Sequence, residues 1–264
     1  MNGSPVLLVK GIACRLAVKI EKVNNVSIRS ILKTIIPGPV RNCFIAAAPV
    51  VKKGDLELAF WKSRLEIDKG TFCNSHYKRL MLGLAEESGD EFLNGKIVAD
   101  FGCGPRGSLM WASPALLRIG IDVLADRYAD EFTDNITSHG MVYLKATEKV
   151  IPLPSNFVDV MFTINAIDHV DDFPGMCNEI IRVLKPGGKF MGSFNLEEPA
   201  NACEPQQLNE KIIKEHLLDK LEVQSYRITR KGPAKDVYAP FFDGKLSYEP
   251  GQEGLLWVKA MKPG

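Results

Sequence analysis

The chain has 264 residues, 45% of them apolar and 25% charged, with a formal net charge of +1. That balance excludes a disordered, collagenous or low-complexity chain, and it supplies no global field for binding nucleic acid. Six cysteines at irregular spacings, with no C-x-x-C pair, exclude an obvious zinc knuckle or disulfide framework; they point to no metal site and suit a reducing cytosol.

The charge divides unevenly. Residues 1–53 carry nine Lys or Arg and one acid, Glu21, for +8, and the remainder carries 24 basic and 31 acidic residues, for −7. Within the basic part, Ser27 can cap a short helix with Ile28, Ile31, Leu32 and Ile35 on one face and Arg29 and Lys33 opposite, ended by Pro37-Gly38-Pro39. Two readings stay open: a helix packed on the body, or a surface that meets an anionic membrane or a lipid-linked substrate. No run of eighteen apolar residues is present, so no transmembrane helix is expected. The first apolar stretch, Pro5–Val9, is cut by Lys10 and is too short for a secretory signal. The expected organisation is a basic extension over 1–53 and one domain over 54–264, facing the cytoplasm or the inner membrane surface.

Residues 56–87 read as helical, with Asn74 or Ser75 capping a face of Tyr77, Leu80, Met81 and Leu84. Beyond Gly89, short apolar runs alternate with helical segments. The runs are 96–101, 117–121, 141–144, 158–164 and 189–194; helices are predicted near 107–115, 124–133 and 173–184. Strands alternating with helices predict an α/β fold, a doubly wound and mostly parallel sheet. Runs near 221–229 and 254–261 predict a further pair of edge strands, the last antiparallel.

The densest signal is Val98-Ala99-Asp100-Phe101-Gly102-Cys103-Gly104-Pro105-Arg106-Gly107. A strand runs into a glycine turn where the backbone can approach a ligand closely, and Asp122 ends the next strand, placed to accept hydrogen bonds from a ribose. Gly102, Gly104 and Gly107 satisfy the literal G-x-G-x-x-G of a dinucleotide site, so a nicotinamide-dependent oxidoreductase competes, as does a non-catalytic module of the same fold. Two residues weigh against a pyrophosphate. The Asp100 carboxylate would repel it, and Pro105 removes an N–H that a phosphate would use. Downstream, Ile151-Pro152-Leu153-Pro154 turns into the strand at Val158. Arg182-Val183-Leu184-Lys185-Pro186-Gly187-Gly188 then closes a helix through a glycine reversal.

In their order and spacing these motifs resemble the class I S-adenosylmethionine-dependent methyltransferases over residues 96–195. The resemblance implies a seven-stranded Rossmann-like sheet and S-adenosyl-L-methionine as cofactor. Asp100, Gly102, Cys103 and Gly104 would wrap its methionine part. Asp122, with Val123 beside it, would hold the ribose. Ala146 stands where an acid is usual, which passes the adenine contact to backbone groups around Thr147 or to the Glu148 side chain. Asn165 opens the fourth-strand exit, which faces both cofactor and acceptor. Arg106 would bind the cofactor carboxylate or start a helix, and Trp61 and Tyr77 would close over the cofactor or pack in the core. The Gly-Pro-Arg-Gly-Ser form and the His169-Val170-Asp171-Asp172 ending resemble bacterial small-molecule and surface-glycan methyltransferases.

Methyl transfer to a hydroxyl needs donor and acceptor held in line and a proton removed. His169 is the candidate base, with Asp168 to orient or replace it. Asn195, Glu197, Glu198 and Glu204 could hydrogen-bond the hydroxyls of an acceptor, which would be a small molecule or a sugar.

Overall fold

The stretch expected to be helical across 56–87 is two helices, α1 (Lys53–Ile67) and α2 (Ser75–Ala85), in a computed structural model that describes residues 52–232, 237–244 and 247–264. These residues lie in one unit, Lys52–Gly264, distinct from Met1–Val51. The Ser27 helix and all of the basic extension but Lys52 and Lys53 therefore fall outside the described residues. Lys69 and Gly70, at φ +58° and +88°, end α1 by turning the chain left-handed. α2 buries Leu80, Met81 and Leu84 as their helical spacing demands.

Seven strands follow: β1 (Ile97–Phe101), β2 (Leu117–Asp122), β3 (Val142–Lys145), β4 (Val158–Ile164), β5 (Leu184–Leu196), β6 (Glu222–Arg230) and β7 (Gly254–Met261). They form one sheet in the order β3-β2-β1-β4-β5-β7-β6. The first five run parallel, and β7 lies antiparallel between β5 and β6. The expected glycine reversal is an excursion within β5, where pairing with β4 jumps from Leu184 to Lys189 and Gly187 sits at φ +72°.

Helices cover both faces. α5 (Phe173–Val183) buries Phe173, Met176, Cys177, Ile180 and Val183 on one face, each large side chain contributing roughly 1.5–3 kcal/mol. Its start is fixed by Asp172, whose carboxylate accepts the Gly175 N–H at 3.0 Å, and by Pro174 in the first turn. α6 (Glu210–His216) joins it through Ile213. The opposite face is covered by α2, packed on Val98, Phe162, Met191 and Trp257. Phe241 of the short helix α7 (Ala239–Phe242) stacks on Trp257, ring centroids 4.2 Å apart. Helices α3 (Ala125–Glu131) and α4 (Thr133–Ser138) link β2 to β3, and α1 packs on α3 through Leu58, Phe72, Leu124 and Tyr128.

One expected helix is absent. Residues 107–115, between β1 and β2, form successive turns: Met110 N–H donates to Gly107 C=O, Ala112 to Leu109 and Ala115 to Ala112, each three residues back. Gly107 at φ +74° and the prolines at 105 and 114 prevent one continuous helix.

Candidate active site

In an open parallel sheet ligands bind beyond the carboxyl ends of the strands, where the strand order reverses. Here that point lies between β1 and β4. A two-lobed cleft opens there, about 360 Å³ in one lobe and about 500 Å³ in the other. Gly102, Cys103, Tyr77, Ile164 and Tyr238 line both lobes.

The glycine loop is shaped by what packs on it. A Cβ on Gly104, which sits at φ +55°, would lie 2.6 Å from the Trp61 ring of α1. Trp61 thus packs on the loop, and it also packs against the cluster of Leu58, Phe72, Leu124 and Tyr128. A Cβ on Gly107 would lie 2.7 Å from the buried His139 ring, so the third glycine makes room for an imidazole. No helix begins there. The N-terminal dipole that a dinucleotide fingerprint directs at a pyrophosphate is therefore missing.

Asp100 and Arg106 line the smaller lobe. Asp100 is 2% exposed; its Oδ2 accepts a short hydrogen bond from the Ser108 hydroxyl, and its Oδ1 has no partner. Burial pushes its pKa up to about 7, with the nearby Asp122 charge adding to the shift and the Ser108 bond opposing it. Arg106 starts no helix. Its Nη2 donates to Asp68 Oδ2 at 2.7 Å just beyond α1, while its buried Nε has no partner. His76 also lines this lobe, its pKa lowered by burial and by the Arg106 charge.

Asp122, Val123, Glu148, Asn165 and His169 line the larger lobe. Asp122 holds the loop in place: Oδ2 accepts the Gly104 N–H at 3.0 Å and Oδ1 the Leu124 N–H at 2.9 Å. Burial raises its pKa to about 6 against the opposing effect of those two bonds. Asn165, at φ +44°, accepts from the Ser193 hydroxyl at 2.9 Å and donates to the Tyr238 hydroxyl at 3.2 Å. Thr147 does not reach the cleft; it is exposed, and its hydroxyl accepts the Lys149 and Val150 N–H groups of its own turn. Of the two groups considered for the adenine, the cleft keeps Glu148.

His169 sits in a single turn of 3-10 helix after β4 (Ile167–His169). Its Nδ1 lies 3.0 Å from Glu57 of α1, and its Nε2 lies 3.6 Å from Glu204. Burial lowers the imidazole pKa, but the Glu57 hydrogen bond and the Asp168, Glu57 and Glu204 charges outweigh it, and the net shift is upward from 6.5. Asp168 does not orient the ring: its Oδ2 accepts from Asn195 Nδ2 at 3.1 Å, its Oδ1 has no partner, and burial raises its pKa. Asp168, Glu198 and Glu204 bring three carboxylates together, and Lys231 pairs with Glu198 among them.

Sequence reasoning found Trp61 but missed the other residues that α1 brings to the site. Lys53 reaches the His169 carbonyl, Glu148 and Asp171 across the cleft, and Glu57 reaches the imidazole. Leu56 and Phe60 line the mouth, and Tyr238 comes from beyond β6. No helix among the described residues is long and apolar enough to cross a membrane.

Comparison with known proteins gives this geometry its family. Residues 99–192 match the family model described as a methyltransferase domain. The sterol 24-C-methyltransferase of Aspergillus fumigatus is 30% identical over 126 residues, which is 44% of this chain and 30% of that protein. The chain thus spans less than a third of the curated relative it matches. A candidate methyltransferase from Bacillus halodurans C-125 shares the fold with a TM-score of 0.52 at 16% identity, covering 72% of this chain and 100% of its own. A candidate sarcosine dimethylglycine methyltransferase from Galdieria sulphuraria does so at 0.54 and 13%, covering 71% and 85%. Residues 99–192 carry a methyltransferase domain, and the sheet order and the glycine loop at the β1 exit support a class I S-adenosylmethionine-dependent methyltransferase.

Proposed function

We propose that the protein transfers a methyl group from S-adenosylmethionine to a hydroxyl of a small molecule. One observation carries the reading: the smaller lobe holds a buried acceptor without a partner, Asp100 Oδ1, and a buried donor without a partner, Arg106 Nε. Each unmade bond costs about 1–3 kcal/mol, so the lobe favours a ligand that carries both an ammonium and a carboxylate. The methionine part of the cofactor has both. Asp122 and Val123 then hold the ribose, and Glu148 stands for the adenine. Gly102, Cys103 and Gly104 give the backbone its close approach.

When bound, the cofactor supplies an electrophilic methyl on a sulfonium. The protein's part is to position the acceptor, exclude water and take one proton. Trp61, Tyr77 and Tyr238 wall the cleft, and Asn165 stands at the β4 exit between its lobes. His169 accepts the hydroxyl proton at Nε2 as the oxygen takes the methyl. Asp168, bonded to Asn195, supports the turn that presents His169. Leu56, Phe60, Ile164 and Val170 favour an acceptor with an apolar body over a bare sugar. The sterol relative supports that choice, and the +8 of residues 1–53 supports contact with an anionic membrane or a lipid-linked acceptor.

Calorimetry with S-adenosylhomocysteine and with nicotinamide cofactors tests the cofactor: binding of the first alone is expected, and binding of only the second overturns the reading. Transfer of labelled methyl to a panel of phenols, hydroxy acids, sterols and monosaccharides tests the acceptor. A product methylated on oxygen is expected; one methylated on carbon or nitrogen overturns the hydroxyl assignment.

A further inference from the structure

Three carboxylates surround His169, and they are not equivalent. Glu57 Oε1 lies 3.0 Å from Nδ1, and the Glu57 side chain is only 15% exposed. Glu204 lies 3.6 Å from Nε2, beyond hydrogen-bond length, and its side chain is 32% exposed. Asp168 is committed to Asn195. Further charges near the ring belong to Lys53, which donates to the His169 carbonyl, to Glu148 and Asp171, which Lys53 bridges, and to Glu198, which pairs with Lys231 beside Asp168 and Glu204. A neutral imidazole carries one proton, and the hydrogen bond made by one ring nitrogen decides where it sits. A carboxylate can only accept, so the nitrogen facing Glu57 must be the one that donates.

We infer that Glu57, carried to the cleft by α1, is the positioning residue of the proton acceptor: it keeps the neutral ring in its Nδ1–H form and leaves the Nε2 lone pair facing the acceptor hydroxyl. This rests on the base assignment made for His169 above. It also explains why a helix that lies outside the family match, with only Leu58 fully buried, is held across the cleft from both sides. Lys53 and Glu57 tie α1 to the His169 turn, while Asp55–Arg127 and Lys62–Glu131 tie it to α3. Helix and base are thus joined by the bond that sets the tautomer. A ring that loses Glu57 keeps its place in the turn but loses its preferred proton position, and Glu204 remains as the charge at the mouth.

The test is nitrogen-15 NMR of the histidine rings in the full chain bound to S-adenosylhomocysteine. There are four histidines, and His169→Ala identifies the signal. In the parent, neutral His169 should be the Nδ1–H tautomer and titrate above the ordinary value of about 6.5. Glu57→Gln, which keeps an acceptor oxygen but no charge, should lower the midpoint by about one unit and keep the tautomer. Glu57→Leu should shift the proton to Nε2. With the phenol of the panel that turns over fastest, Glu57→Leu should cut kcat about tenfold or more with little change in KM, the rising limb of the pH profile should move down in Glu57→Gln, and Glu57→Asp should recover part of the loss. An unchanged tautomer in Glu57→Leu, or a changed one with an unmoved kcat, overturns the inference while leaving His169 as base. Full turnover in His169→Ala overturns the base assignment and the inference with it, and that result is distinct from the first two.

Discussion

Trp61 lies over Gly104 so closely that the two form one packing unit: the ring of an α1 residue rests where a side chain on the glycine loop would stand. Gly104→Ala should therefore fail twice, through a left-handed φ of +55° and through a Cβ 2.6 Å from the ring. We expect a loss of about 1–3 kcal/mol in stability and at least a tenfold loss of S-adenosylhomocysteine affinity. Adding Trp61→Ala should return some stability by removing the clash, but not affinity, because a wall of the cleft is then gone. Thermal melts and calorimetry on the two variants check this.

Asp100 is costly to the unliganded protein. Burial pushes its pKa up to about 7 in the folded protein from an ordinary 3.8, so the folded state holds a proton that the unfolded chain releases between those values. Stability should accordingly fall as pH rises from about 4 to about 7. Asp100→Asn, which still accepts from Ser108, should stabilise the unliganded protein at pH 8 by on the order of 1–3 kcal/mol. It should also weaken S-adenosylhomocysteine at least tenfold. A variant that is both no more stable and equally tight would remove Asp100 from the ligand site.

Asp122 joins the loop to the β2 exit through two backbone N–H groups. Asp122→Ala should lose on the order of 2–4 kcal/mol of cofactor affinity without unfolding the domain. Since its folded pKa is about 6, parent affinity should weaken as pH drops below 6 and recover above it. Calorimetry at pH 5 and pH 8 measures both effects.

His169→Ala should lower turnover about a hundredfold while S-adenosylhomocysteine binds as before. Because its pKa is raised, the parent rate should climb with pH through a midpoint above 6.5. A flat profile would leave positioning as the main source of rate.

Deleting residues 1–51 tests the basic extension. If it serves a surface, the intact chain should bind anionic vesicles in a salt-sensitive way, each basic residue contributing up to about 1 kcal/mol, and the truncated chain should bind cofactor but not vesicles. Indifference of the intact chain to vesicles at low salt would refute the surface role.

The parts of the site written in consecutive residues were legible from sequence. A strand that ends Asp100-Phe101-Gly102-Cys103-Gly104 places its loop by local rules, and Asp122 follows from the next strand's end. The helix expected at 107–115 failed because apolar residues at plausible spacing were outweighed by glycine and proline geometry. Glu57 left no sequence trace: its contact with His169 spans 112 positions, and a glutamate on a helix reads as a solvated face. Asp168 looked like a neighbour for His169 because it is adjacent in the chain, yet the short helical turn sends the two side chains to different partners.

The place of β7 bears on how the molecule is made. Its eight residues, Gly254–Met261, supply the pairing on one side of β5 and the whole of the pairing recorded for β6. During synthesis the β6 segment must therefore wait without its neighbour until Gly254–Met261 has left the ribosome. Until then one edge of β5 and all of β6 offer unpaired backbone groups to any other strand. The half of the sheet that carries the glycine loop can close early. The other half is completed only when β7 has emerged, so a premature stop near Gly254 should yield aggregation rather than a smaller working enzyme.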